Sequence, residues 1–107
     1  MYEEKYPPLE SVIQVLKGLA EKYDYKIFIV NPVKYAVKLG NPLTSNIIML
    51  GFLNKVLKLL NDNHIVNAIK SSVPKRTIDE NIRAYYIGVD YANEILKKKK
   101  NRIVIDV

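Results

Sequence analysis

The stretch Gly40-Asn41-Pro42-Leu43-Thr44-Ser45-Asn46-Ile47-Ile48-Met49-Leu50-Gly51 constrains the fold more than any other part of this 107-residue chain. It reads as a helix stop followed at once by a helix start. Gly40 can take the left-handed conformation that closes a helix without steric penalty. Pro42 cannot continue the helix behind it. Thr44, Ser45 and Asn46 are all good N-cap residues. Ile47, Ile48, Met49, Leu50, Phe52 and Leu53 leave almost no polar side at the start of the new helix, which predicts burial there. Gly51 inside that helix costs about 1 kcal/mol against Ala, and a close-packed neighbour would account for it. Gly40, Asn41, Asn46 and Gly51 are therefore candidates for turn, cap or close-packing roles.

On either side of this stretch the apolar period assigns the remaining elements. Residues 1–8 read as a loose, extended lead with Pro7 and Pro8. Leu9, Val12, Ile13, Leu16, Leu19, Ala20 and Tyr23 follow 3-4 spacing and predict a helix over 9–23. Residues 26–30 form a short β-rich run, read as a buried strand, which Asn31-Pro32 breaks. Val33, Ala36, Val37 and Leu39 suggest a short helix ended by Gly40. The next helix is predicted over 46–60, with Asn54, Lys55 and Lys58 as its wet face. Asn61-Asp62-Asn63 signals a turn, and Asp62 or Asn63 can cap a short helix over 64–71.

Residues 73–76 connect to the last helix. Thr77 is a plausible N-cap, with Glu80 three residues on as in a capping box. Ile78, Ile82, Tyr85, Val89, Ala92 and Leu96 continue the 3-4 stripe. Gly88 interrupts it, which predicts a neighbouring backbone passing close by. Residues 102–107 read as a second strand. The sum is one α/β domain over residues 1–107, rich in helix and with two short strands.

Chemistry is harder to place on these residues. There is no cysteine, so disulfides, thiolate catalysis and Cys-held iron–sulfur clusters are excluded within the chain. The four glycines are scattered, and no phosphate-cradling glycine cluster occurs. His64 is the lone histidine and reads as a surface or capping residue. Asp79/Glu80 and Asp90/Glu94 are at the spacings that solvated helix faces produce routinely. No segment has the ~18–20 apolar residues needed to span a bilayer, and the start of the sequence is too acidic for a signal peptide. A soluble, cytoplasmic protein without membrane contact is expected.

Basicity is local. Lys97, Lys98, Lys99, Lys100 and Arg102 sit together, and without them the formal charge falls from +6 to +1. A solvated helix end is the plain reading of this run, since cations suit the negative end of a helix dipole. A contact to an anionic partner is the sharper one. Tyr85, Tyr86 and Tyr91 precede the run, and aromatic residues beside cations also suit single-stranded nucleic acid. Tyrosine on a core edge, ring buried and hydroxyl wet, is the plainer account.

Gly-Asn-Pro, a small polar linker, Asn, two aliphatics and Met-Leu-Gly resemble the gamma subunit, or gamma domain, of the 2-oxoacid:ferredoxin oxidoreductases. That group includes the pyruvate, ketoisovalerate and indolepyruvate enzymes. A second patch lies 35 positions on, from Asn46 to Asn81. It reads Glu80-Asn81-Ile82-Arg83-Ala84-Tyr85-Tyr86-Ile87-Gly88 and is similar to the family's Glu-x-Asn-x-x-Ala-x-x-x-Gly segment, except that Glu80 adjoins Asn81. Residues 26–37 resemble the strand and short helix that lead into Gly-Asn-Pro. The resemblance covers roughly residues 6–94, matching the later half of a gamma domain. The strand and Gly-rich turn with which such domains usually begin are missing.

The resemblance implies a partial Rossmann-like three-layer domain in a non-catalytic subunit or fragment. The assembly it implies uses thiamine diphosphate, iron–sulfur clusters and coenzyme A, none bound by this chain. Its partners would be the alpha and beta subunits and a ferredoxin-like delta subunit. Asn81 and Gly88 join the structural candidates on the same ground. Uncovered apolar flanks also lead to an expectation of self-association or a sister chain. Two alternatives stand beside this reading: a small basic nucleic-acid-binding module using Lys97, Lys98, Lys99, Lys100 and Arg102, and a stand-alone remnant of the family.

Overall fold

The computed structural model describes residues 8–98 and 100–107. Residues 1–7 of the expected N-terminal lead, and Lys99, lie outside these. The chain is a helix-rich α/β fold with five helices and two short strands among the described residues.

Helix α1, Leu9–Tyr23, ends at Asp24, which takes the left-handed conformation at φ 59 and sends its N–H back to the Ala20 carbonyl. Strand β1, Ile27–Val30, runs into α2, Pro32–Leu39. Asn31 caps that helix, its Oδ1 accepting from the Val33 N–H at 3.1 Å, and Pro32 occupies the first turn, where a missing N–H does no harm. Gly40 closes α2 at φ 96 with its N–H on the Ala36 and Val37 carbonyls. A β-carbon is strained at that φ.

The turn after Gly40 is built differently from the predicted cap. Asn41 Oδ1 accepts from the Leu43 N–H at 3.0 Å, opening a single 3-10 turn at Pro42–Thr44. That turn leads directly into α3, Ser45–Leu57. Thr44 is buried, and its hydroxyl donates to the Asn41 carbonyl at 2.7 Å instead of capping α3. Asn46 is the second residue of the helix and exposed, so it is not the cap.

Helix α3 stops at Leu57 because Lys58 turns left-handed at φ 53. Its predicted wet face holds at Lys58, which is exposed, and at half-buried Lys55, but fails at Asn54. Asn54 is 7% exposed, whereas Leu50, Leu53 and Leu57 are 37%, 45% and 55% exposed. The burial of Asn54 has a local cause. The 58–61 loop carries Leu60 back over Asn54, whose amide serves both backbone groups of Leu60, at 2.9 Å each.

Asn61, not Asp62 or Asn63, caps α4, Asp62–Ser72, by accepting from the Asn63 N–H at 2.8 Å. A second 3-10 turn, Lys75–Thr77, precedes α5, Ile78–Leu96. The capping box at Thr77 does not form. The Thr77 hydroxyl donates to the Pro74 carbonyl at 2.8 Å, so both long central helices are entered through a 3-10 turn closed by a threonine.

Strand β2, Ile103–Asp106, pairs parallel with β1 in the register Ile27↔Ile103 to Val30↔Asp106. The core lies where α3 and α5 meet the sheet. Phe52, Tyr91, Ala92, Ile95 and Val104 form one cluster, with Phe28 and Val30 of β1 against it. Ile48 and Ala84 join Ala36 of α2 in a second, and Tyr85 joins Ile65 and Ile69 of α4 in a third. Helix α1 contributes only Ala20 to the buried set, and Leu9, Val12, Val15, Leu19 and Tyr23 remain exposed. Its apolar stripe is present but uncovered.

Candidate functional site

The two family-like patches meet. Gly51 of α3 lies against α5: a β-carbon there would collide with the Tyr85 carbonyl and stand 3.1 Å from the Val89 nitrogen. Gly88 of α5 lies against α3: a β-carbon would collide with the Ile48 carbonyl and stand 2.8 Å from the Phe52 nitrogen. The crossing is thus backbone on backbone in both directions. Both glycines are buried, and only residues without a side chain permit so close an approach.

Asn81, one turn into α5, donates from Nδ2 to the Thr77 carbonyl at 2.9 Å. Gly40 and Asn41 shape the turn between α2 and α3, and Asn46 lies on the surface of α3. The structure therefore brings Gly51 and Gly88 together, while Gly40, Asn41, Asn46 and Asn81 act each in its own turn or helix.

Asn54, Tyr85 and Asp62 form a part-buried polar network that the periodicity of the sequence does not reveal. Asn54 Nδ2 donates to the Tyr85 hydroxyl oxygen at 2.9 Å, and that hydroxyl donates to Asp62 Oδ1 at 2.6 Å. Tyr85 is fully buried. Burial, with the nearby Asp62 carboxylate, pushes its pKa up to about 12, the Asn54 bond opposing. The network ties α3, α4 and α5 together and floors an open, polar depression of about 480 Å³ lined by Lys55, Lys58, Asn61 and Tyr86.

A second network sits at the C-terminal ends of the strands. The Tyr91 hydroxyl accepts from the Asn31 N–H at 2.9 Å and donates to the Asp106 carbonyl at 3.1 Å. Lys34 Nζ reaches Asp106 Oδ1 at 2.8 Å and stands over the Tyr91 ring at 5.6 Å. Burial pushes the Tyr91 hydroxyl to a pKa of about 12, and Lys34 holds the Asp106 carboxyl below its ordinary range. Both tyrosines are thus neutral hydrogen-bonding struts, far from the pKa near 7 that suits a general base.

The basic run is dispersed. Lys97 pairs with Glu94 at 3.0 Å on the surface. Arg102 pairs with Asp24 at 2.7 Å and reaches the Ala20 carbonyl at 3.3 Å, docking α1 on the start of β2. Lys98 and Lys100 are exposed. Tyr85 and Tyr91, two of the rings that could have stacked bases, are inside the core. Among the described residues no group of three His, Cys, Asp or Glu could hold a metal ion, and no helix is long and apolar enough to cross a membrane.

Comparison with known proteins bears on what such a packing unit belongs to. Residues 2–91 match the family model described as pyruvate ferredoxin/flavodoxin oxidoreductase. The chain is 30% identical over 92 residues to indolepyruvate oxidoreductase subunit IorB of Pyrococcus horikoshii and 33% identical to that of Thermococcus kodakarensis, each alignment covering 85% of this chain and 44% of the relative. It is 34% identical over 71 residues to 2-oxoglutarate synthase subunit KorC of Methanocaldococcus jannaschii, covering 66% of this chain and 37% of that one. The chain therefore spans less than half the length of the curated relatives it matches. No solved structure matches significantly. With a family match that takes in both glycines of the helix crossing, the chain belongs to the pyruvate ferredoxin/flavodoxin oxidoreductase family.

Proposed function

We propose that this chain is a non-catalytic part of a 2-oxoacid:ferredoxin oxidoreductase that packs against its catalytic subunits. The observation that carries the reading is where the family-like residues go. Gly51 and Gly88 close a helix crossing, and Gly40, Asn41 and Asn81 set turns and helix starts. In the assembly, a 2-oxoacid is oxidatively decarboxylated to an acyl-coenzyme A with electrons passing to ferredoxin. The iron–sulfur clusters fall to the alpha, beta or delta partners, since this chain has no thiolate to offer, and the thiamine diphosphate is assigned to those partners with them. The uncovered leucines of α3 and the outer stripe of α1 are the surfaces available to those subunits.

Co-expression with the catalytic subunits tests this. The chain is expected to co-purify with them and to raise the yield of active complex. Leu53→Glu combined with Leu57→Glu should release it. Failure of the unaltered chain to associate with any catalytic subunit overturns the proposal. Assay of the complex against pyruvate, ketoisovalerate, indolepyruvate and 2-oxoglutarate then decides the substrate.

A further inference from the structure

The sheet has two strands, so β2 pairs on one side only among the described residues. The Ile27 N–H donates to the Arg102 carbonyl at 2.8 Å. Given the parallel register, Arg102, Val104 and Asp106 turn their ladder groups toward β1. The alternation of a strand then sends the N–H and C=O of Ile103 and Ile105 to the open side. Apart from the β1–β2 ladder, whose bonds the register assigns to Arg102, Val104 and Asp106, no hydrogen bond among the described residues reaches the backbone of Ile103 or Ile105. Unpaired backbone groups on a β-branched run are a template for strand addition. Ile103-Val104-Ile105 contains no proline or charge that would discourage it.

We propose that this edge pairs with the same edge of a second copy, β2 against β2, antiparallel about a two-fold axis at Val104. The result is a continuous four-stranded sheet. The register follows from the outward groups. Setting Ile103 opposite Ile105 of the second copy lets both residues exchange their free N–H and C=O groups, twice over by symmetry. Within β2 itself, a register that opposes Ile103 with its own copy, or Ile105 with its own copy, forms one such pair instead of two.

The same register also matches charge. It places Arg102 opposite Asp106 of the second copy and Asp106 opposite the second copy's Arg102. Opposite charges facing each other across a strand pair are favourable. Both ends have capacity to spare. Arg102 uses one terminal nitrogen on Asp24 and Ala20, and Asp106 uses Oδ1 on Lys34. The side chains stay accessible, at 48% and 30% exposure. The other open edge, on β1, has only Ile, Phe and Val to oppose itself, so it offers no such match.

The test begins with the unmodified chain. Sedimentation equilibrium is expected to show a monomer–dimer equilibrium at micromolar concentration. Amide exchange at Ile103 and Ile105 should slow at least about tenfold between dilute and concentrated samples. A monomer at high micromolar concentration overturns the proposal. So does a dimer in which those amides exchange as fast as when dilute, since the contact then lies elsewhere, on β1 or on the α3 leucines.

Two sets of variants fix the register. Ile103→Cys together with Ile105→Cys puts the only thiols of the chain about 5.5 Å apart between Cα atoms, inside the roughly 4.4–6.8 Å a disulfide accepts. Oxidation should yield covalent dimers. Arg102→Asp and Asp106→Arg should each weaken the dimer, and the double exchange should restore it. A double exchange that dimerises no better than either single variant counts against the register.

Discussion

The backbone of Gly88 rests directly on the carbonyl of Ile48, with no side chain between the two helices. Gly51 makes the reciprocal approach to Tyr85. Alanine at either position must push rigid backbone aside, because no flexible side chain is there to yield. Overpacking of this kind costs typically about 1–3 kcal/mol and occasionally more. Gly51→Ala and Gly88→Ala are therefore each expected to lower stability by about 3 kcal/mol, read from urea unfolding midpoints. Gly18→Ala is the control: a β-carbon there meets nothing within 4 Å, so alanine in mid-helix should be neutral or stabilising by up to about 1 kcal/mol.

The Asn54 amide predicts a second sensitivity. Replacing it by Ala removes the partner of both part-buried backbone groups of Leu60 and of the Tyr85 hydroxyl, and each such hydrogen bond is worth about 0.5–1.5 kcal/mol net. Asn54→Ala should destabilise by about 2–3 kcal/mol. Tyr85→Phe should cost less, about 1 kcal/mol, because Leu60 keeps its hydrogen bonds. If Tyr85→Phe proves the costlier of the two, the network is not organised around Asn54.

High pH should unfold the chain through its two buried hydroxyls. An unfolded tyrosine ionises at its ordinary pKa of 10.0, whereas Tyr85 and Tyr91 hold their protons to about 12. Above pH 10 the unfolded state binds fewer protons than the folded one, so the stability these residues contribute is complete below pH 10. It is lost as the pH climbs through 12. Circular dichroism followed between pH 9 and 12 should show a transition that shifts upward when Tyr85 and Tyr91 are both Phe. An unshifted transition assigns the alkaline unfolding to other groups.

Acid should work on Asp106 in the opposite sense. Lys34 depresses its carboxyl pKa, so this contribution is present above the ordinary carboxylate value of 3.8 and disappears as the pH falls through the lowered one. Both side chains are partly exposed. Lys34→Met should therefore cost no more than about 1 kcal/mol at neutral pH, and the deficit should vanish in acid. A deficit that persists there would come from the lost Lys34 packing on Tyr35 and Tyr91, not from the charge.

Much of this architecture is legible from short-range pattern. The α1 bounds, the Gly40 stop, α5 and both strands follow from period and breakers, because those signals arise from the backbone of the segment itself. What is not legible depends on contacts distant in the chain. Asn54 looks like a solvent residue by its polarity, and only the fold-back of Leu60 explains its burial. The Thr77–Glu80 pair has capping-box spacing, yet Thr77 turns to Pro74. Tyr91 joins Asn31 and Asp106, 60 residues before it and 15 after, a relationship that periodicity does not encode. The family-like glycines were visible as interruptions in their helices, but not that one faces the helix of the other.

The parallel pairing of β1 with β2 carries a consequence for how the chain reaches its folded state. Ile27 must wait for Ile103, which follows after four intervening helices. Loop closure over that distance is slow relative to helix formation. During synthesis β1 leaves the ribosome before its mate exists, because four helices are made between the two strands. Sheet closure should therefore be the final step of assembly, with the helical layer already in place to receive it.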